Sequence, residues 1–173
     1  MRRSRLIGVA LLVVGVTTLG IGGRPLLLAG LTSLIQLRFP AVRWIAPDAL
    51  RRLQADSLRP PPILLDVRTA PEFATSHLAG ARRLDPDAPL PSELLALPRS
   101  TPIVTYCAVS YRSAVAAQAL ADAGFTDVRD LEGSIFRWAN EGRPLVAARG
   151  PVSVVHGYGS PWRWLLKPGR RAP

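Results

Sequence analysis

The stretch Pro102–Phe125, PIVTYCAVSYRSAVAAQALADAGF, decides the fold. Ile103 to Tyr106 is an apolar run that predicts a strand. Cys107 opens a short loop after it, and the Ala-rich run Ser113 to Ala123 predicts a helix that stops at Gly124. A strand, a loop and a helix in that order turn backbone N–H groups and the positive end of a helix dipole into one small space. That field favours a thiolate, and Cys107 is the sole cysteine of the 173-residue chain. A lone cysteine is more often a small core residue. Its position at the end of a strand and the start of a helix instead makes Cys107 the candidate nucleophile.

The elements on either side follow the same alternation. Upstream, Trp44 and Ile45 read as a strand, and Pro47 opens a helix carrying Leu50 and Leu53. Ile63-Leu64-Leu65 is a strand ending in Asp66-Val67-Arg68. Ala70 to Thr75 is a short helix, Ser76 to Ala81 a turn with Gly80, and Ser92 to Leu97 another helix. Downstream, Asp127 to Leu131 is a strand, and Ile135 to Asn140 a helix with Phe136 and Trp138 in the core. Strands alternating with helices predict an α/β fold, a central parallel sheet flanked by helices. Functional loops of such sheets collect at the carboxyl ends of the strands, where Asp66 and Cys107 both fall.

The net charge of +10 is unevenly placed. Residues 1–43 carry six arginines and no acid, residues 44–150 twelve arginines and twelve acids, and residues 151–173 four cations and no acid. A balanced middle with basic ends argues against a nucleic-acid partner and for flanks near an anionic membrane surface. One cysteine excludes an internal disulfide, and two distant histidines make no metal cluster.

Leu6 to Gly23, LIGVALLVVGVTTLGIGG, is free of charge over eighteen residues. As a helix it spans roughly 27 Å, about the hydrocarbon thickness of a bilayer. A cleaved signal peptide is the main rival, but the run is long for one and no small-x-small cleavage site follows. Gly22-Gly23-Arg24-Pro25 reads as a turn, and Leu26 to Leu37 is apolar again, with Ala29, Thr32, Ser33 and Gln36 as a weakly polar stripe. This second run is either the return arm of a helical hairpin or a helix lying in the interface. A hairpin keeps Arg2, Arg3, Arg5, Arg38 and Arg43 on the inner side, and a single span sends the domain outward. The expected organisation is a membrane-anchoring segment over 1–40 with the lipid bilayer as partner of residues 6–37, a domain over 41–150, and a basic aromatic tail over 151–173. The expected location is the inner or plasma membrane of a bacterium, with the domain preferably on the cytoplasmic side. The tail interleaves His156, Tyr158, Trp162 and Trp164 with Arg163, Lys167 and Arg170, a pattern for lipid headgroups or for packing on the domain.

Residues 44–147 resemble a single rhodanese domain, the module of thiosulfate and related sulfurtransferases. The resemblance rests on LLDVRTAPEFATSHLAGA at Leu64–Ala81, CAVSYRS at Cys107–Ser113, and LEGSIFRW at Leu131–Trp138 followed by Pro144 and Leu145. It implies that Cys107 is the catalytic residue, that Ala108, Val109, Ser110, Tyr111, Arg112 and Ser113 bind the substrate, and that no cofactor or metal is needed. Related phosphatases and arsenate reductases have one more residue between the cysteine and the arginine. The shorter loop here suits a terminal persulfide sulfur rather than a tetrahedral oxyanion. The implied chemistry moves a sulfane sulfur from thiosulfate or a persulfide, through a persulfide on Cys107, to a thiol or cyanide. Arg112 is expected to orient an anionic donor or hold the thiolate. Asp66 and Arg68 are expected to pair as support beneath the loop, His77 to stabilise a turn rather than act as a base, and Glu72 to make a surface or capping contact.

The chain departs from the family pattern at two loop positions. Ser110 stands where relatives have glycine, so a left-handed backbone there carries strain of roughly 1 kcal/mol. Ala108 stands where thiosulfate-preferring members are often basic, and Tyr111 narrows the mouth. Both favour a small, persulfidic or protein donor. The alternative is a catalytically weak rhodanese-like module that binds a protein partner or senses oxidants through Cys107.

Overall fold

β4, Ile103–Tyr106, is buried along its whole length, and the sheet is built outward from it. A computed structural model describes residues 23–159 and 161–173. The element order is α1 (Gly23–Arg38), β1 (Arg43–Ile45), α2 (Pro47–Ala55), β2 (Ile63–Asp66), α3 (Ala70–Thr75), β3 (Arg82–Arg83), α4 (Ser92–Leu95), β4, α5 (Tyr111–Asp122), β5 (Val128–Leu131), α6 (Ser134–Asn140), then the hairpin β6 (Leu145–Ala147) and β7 (Gly150–Val152). Two 3₁₀ turns, Trp162–Leu165 and Pro168–Arg170, end the chain. Five strands form one parallel sheet in the order β1-β5-β4-β2-β3.

Side chains alternate across β4 as a pleated strand requires. Val104 and Tyr106 enter the cluster with Leu50, Leu64, Ile135 and Phe136 on one face of the sheet. Ile103 and Cys107 enter the cluster with Leu65, Ala117, Leu120 and Phe125 on the other. Burying a side chain of the size of Leu120 or Phe136 contributes about 2 kcal/mol. α5 ends where expected: Gly124 takes φ 96°, its N–H reaches the Ala121 carbonyl at 2.9 Å, and the Phe125 N–H reaches that of Leu120 at 3.1 Å. That pair of bonds satisfies the last carbonyls of the helix, with Leu120 and Phe125 packed in the same cluster.

Three sequence expectations are corrected. α5 starts at Tyr111, two residues before Ser113, because Ser110 at φ 77° turns the chain into the helix early. Gly23, Arg24 and Pro25 belong to α1 rather than to a turn, since proline is tolerated in a first helical turn where N–H groups lack partners anyway. The side of α1 that carries Thr32, read as part of a weakly polar stripe, is turned inward on the domain. Leu28, Thr32 and Ile35 are buried on it, Leu28 in the same cluster as Leu165 and Leu166 of the tail. Thr32, assigned to the polar stripe, satisfies its hydroxyl on the Leu28 carbonyl at 2.8 Å and so is buried at little cost. Among the described residues no helix is long and apolar enough to cross a membrane. The run Leu6–Gly22, on which the anchoring expectation rests, lies outside the described residues. The tail packs on the domain: Val155, Leu165 and Leu166 are buried, and Val155 pairs with Arg171 as a parallel bridge.

Candidate active site

The site arises from the strand order. β4 lies between β2 and β5, so the loop after it is flanked by the segments that leave those two strands. β2 ends in Asp66, and Arg68 and α3 follow it. After β5 come Gly133, Ser134 and α6.

Cys107 opens the loop at 1% exposure, on the face covered by α5. Among the described residues, the N–H groups of Ala108, Val109 and Ser110 donate to no protein acceptor, and those of Tyr111 and Arg112 are in the first turn of α5. Donors left over by a tight loop and a helix start form a concavity for an anionic sulfur. Ala108, Val109 and Ser110 are themselves buried, which holds the ring rigid. The unpaired donors of the loop are thus backbone N–H groups at 108–110, with the first turn of α5 directly after them. Ser113 does not join them: its side chain is fully buried, its hydroxyl donates to the Ser110 carbonyl at 3.3 Å, and its carbonyl accepts the Thr105 hydroxyl at 3.2 Å.

Two serines tie the loop to the segment after β5. Ser110 and Ser134 both take positive φ, 77° and 50°. Their hydroxyl oxygens lie 3.2 Å apart, Ser110 donating also to the Leu131 carbonyl at 2.9 Å. Ser134 Oγ accepts the N–H of Cys107 at 3.0 Å. The carbonyls of Cys107 and Ala108 accept the N–H groups of Ile135 and Phe136, each at 3.2 Å. The strain expected at Ser110 is present and is offset by bonds a glycine does not make. Ser134 was not singled out in the sequence. A serine directly after a glycine at a helix start was the available local signal.

Arg112 is placed differently from expectation. Its two terminal nitrogens bind both oxygens of Glu72, at 2.8 and 3.0 Å, and its guanidinium carbon lies 4.4 Å from the Tyr158 ring centroid. Burial works against its charge, but the Glu72 hydrogen bond and the Glu72 charge outweigh it and hold the guanidinium protonated. Glu72 is only 2% exposed and also accepts from the N–H and hydroxyl of Thr69, a capping box for α3. Burial raises its pKa, and the bonds from Arg112 and Thr69 more than reverse this, leaving it below the ordinary carboxylate value. The pattern Thr69-x-x-Glu72 was legible as a capping box. The ion pair was not, nor was Tyr158, which arrives from the tail.

Asp66 and Arg68 pair as expected. Arg68 Nη2 reaches Asp66 Oδ2 at 2.6 Å, both side chains are fully buried, and the same nitrogen donates to the Ser76 carbonyl. Together they back Tyr106, whose hydroxyl accepts the Leu78 N–H at 3.1 Å. Burial, then the Asp66 charge, keeps that phenol protonated well above its usual range. His77 stacks on Phe73 at 3.9 Å and its Nδ1 lies 3.0 Å from the Phe73 carbonyl, while its backbone pairs with Val146. It serves the turn, as expected. Tyr111 is half exposed at the rim and meets Phe39 edge-on at 5.5 Å.

Residues 46–141 match the rhodanese-like domain family, and the chain belongs to that family. A protein of Allochromatium vinosum named sulfurtransferase is 34% identical over 88 residues, 51% of this chain and 81% of its own length. Thiosulfate sulfurtransferase GlpE of Stutzerimonas stutzeri is 32% identical over 76 residues, 44% of this chain and 69% of its own. An uncharacterized protein of Synechocystis is 35% identical over 113 residues, and this chain spans only 60% of its length. Among solved structures, a rhodanese-like domain protein from Staphylococcus aureus superposes with a TM-score of 0.53 at 27% identity, over 61% of this chain and 98% of that one.

Proposed function

We propose that this protein is a sulfurtransferase that carries a sulfane sulfur as a persulfide on Cys107. The observation that carries the reading is the loop at 108–110, whose amides find no protein acceptor among the described residues and which lies between Cys107, directly after β4, and the first turn of α5. The Cys107 thiolate attacks the outer sulfur of a donor R–S–S⁻. A new S–S bond forms on Cys107, the donor S–S bond breaks, and R–S⁻ leaves with its electron pair. A thiol or cyanide then attacks the outer sulfur and returns Cys107 as thiolate. The amides favour the terminal sulfur anion between the two steps.

A persulfide is the preferred donor, and thiosulfate a poor one. Arg112 is the sole cation of the loop, and Glu72 already neutralises it. A doubly charged donor meets no free positive side chain at Ala108, where the loop lacks one. Cys107 is only 1% exposed, which favours a donor that presents a slender terminal sulfur.

The uncharged run Leu6–Gly23 supports attachment to a membrane. Intact-protein mass after incubation with a low-molecular-weight persulfide tests the central reading. The expected result is the gain of one sulfur atom, lost again on adding cyanide and absent in Cys107→Ser. A wild-type protein that never gains it removes the enzyme reading and leaves a binding module.

A further inference from the structure

The tail and α1 together assemble a cationic site that the sulfur chemistry does not use. Arg24 Nε donates to the Trp164 carbonyl at 3.1 Å, and Arg171 Nη2 donates to the same oxygen at 3.3 Å. Two guanidiniums from opposite ends of the chain thus converge on one neutral acceptor. Arg24 also lies 4.9 Å over the Trp164 indole, and Arg163 Nη2 bonds the Ala172 carbonyl at 3.0 Å. Among the described residues neither Arg24, Arg163 nor Arg171 pairs with a carboxylate.

Two features make this more than a solvated basic surface. Arg24 Nη1 is buried with no hydrogen-bond partner among the described residues, a state that native proteins avoid. Arg171 is held below its usual pKa by burial and then by the charges of Arg24 and Arg163. Like charges gathered around an orphan donor are relieved by one anion placed among them.

The surroundings indicate where that anion comes from. Arg24 follows directly on Leu6–Gly23, a run without charge. Along α1 the outward side carries Leu26, Leu34 and Leu37, exposed by 74%, 57% and 78%, with no charged residue between Leu26 and Leu37. Trp164 is also exposed, beside the cations. The exposed leucines of α1, the indole of Trp164 and the arginines gathered at it supply the apolar, interfacial and cationic groups that an anionic bilayer surface takes.

We propose that Arg24, Arg163 and Arg171, with Trp164, bind the phosphate of an anionic phospholipid while Leu26, Leu34 and Leu37 rest against the acyl layer. This rests on the reading that the run before Gly23 lies in a bilayer. The contact holds α1 flat on the membrane and so fixes the orientation of the whole domain, because α1 is packed on its core.

The full chain in dodecyl maltoside micelles tests it, with phosphatidylglycerol, phosphatidylcholine or inorganic phosphate added at equal concentration. Phosphatidylglycerol is expected to raise the melting temperature by about 5 °C, and phosphatidylcholine to leave it unchanged. Arg24→Gln and Arg171→Gln are expected to remove at least half of the rise, and added salt to erase it. An equal rise with both lipids, a full rise with phosphate alone, or an undiminished rise in both variants overturns the site. Should the variants melt before any lipid is added, quenching in the unsubstituted protein decides instead. Brominated phosphatidylglycerol is expected to quench the Trp164 contribution, read against Trp164→Phe, more than brominated phosphatidylcholine, and equal quenching overturns the proposal. Flotation with phosphatidylcholine vesicles separates the two readings. A chain that floats without lipid preference in micelles keeps its anchor and loses this site, and a chain that does not float loses the anchor while the micelle melts still judge the site.

Discussion

Glu72 and Arg112, forty residues apart, meet through two hydrogen bonds of 2.8 and 3.0 Å at the rim of the cysteine loop. The pair removes the free charge of the loop's sole cation and fixes α3 against the start of α5. Glu72→Gln is therefore expected to loosen the fold and to open the site to anions together. Breaking one partner of a buried pair costs roughly 3 kcal/mol. Thermal melts should register that loss, while sulfur uptake from thiosulfate rises relative to uptake from a persulfide.

The same carboxylate sets an acid limb. Its folded pKa lies below the unfolded value, so its stabilisation is fully present above the unfolded value and is lost as pH falls through the folded one. Denaturant midpoints of the wild-type protein should fall on that descent. Glu72→Gln should flatten it.

Asp130 works in the opposite sense. It is fully buried, Oδ2 has no partner, and Thr105 donates to Oδ1 at 3.0 Å. Burial raises its pKa well above the ordinary value, against bonds from Ser113, Thr105 and the Leu131 N–H. The folded state then holds a proton that the unfolded state releases, so stability falls as pH rises from the unfolded value towards the folded one. Asp130→Asn should melt higher than wild type at neutral pH and at the same temperature in mild acid. A lower melt at neutral pH would show the charged form to be the native one.

Ser110 and Ser134 should behave as one unit. Ser134→Ala leaves the Cys107 N–H buried without its acceptor, at about 1–3 kcal/mol, and Ser110→Ala keeps the backbone strain while losing the bond to Leu131. A double-mutant cycle is expected to give a coupling of about 1 kcal/mol. Both single variants should slow persulfide formation, as a loop less firmly held presents its amides less well. Additive losses would mean the two hydroxyls act separately.

Tyr158 covers the guanidinium of Arg112 from the tail. Tyr158→Ala is expected to lower the KM for an anionic donor several-fold with kcat nearly unchanged, since the ring bars approach and takes no part in sulfur transfer. Steady-state kinetics with thiosulfate check it, and an unchanged KM would confine the ring to packing.

Much of this protein is written locally in the chain. The strand Ile103–Tyr106, the stop at Gly124, the helix Ala70–Thr75, the left-handed turn at Ser110 and the pairing of Asp66 with Arg68 each depend on residues within about a dozen positions of one another. Propensity, capping and alternation report such neighbours directly, which is why the family was readable in the sequence. The start of α5 and the inner side of α1 were not, because Ser110 redirects the chain ahead of the alanine run and Leu28 and Ile35 of α1 find the domain.

What only the tertiary structure decided is which distant groups surround the sulfur and the surface. Placing β4 between β2 and β5 brings Glu72 from one side and Ser134 from the other, and folding the tail back carries Tyr158 to Arg112 and Trp164 to Arg24, 140 residues away. No local pattern encodes these meetings. They arise when strands choose their neighbours and apolar faces choose their cover, and those choices depend on the free energy of the whole buried interior.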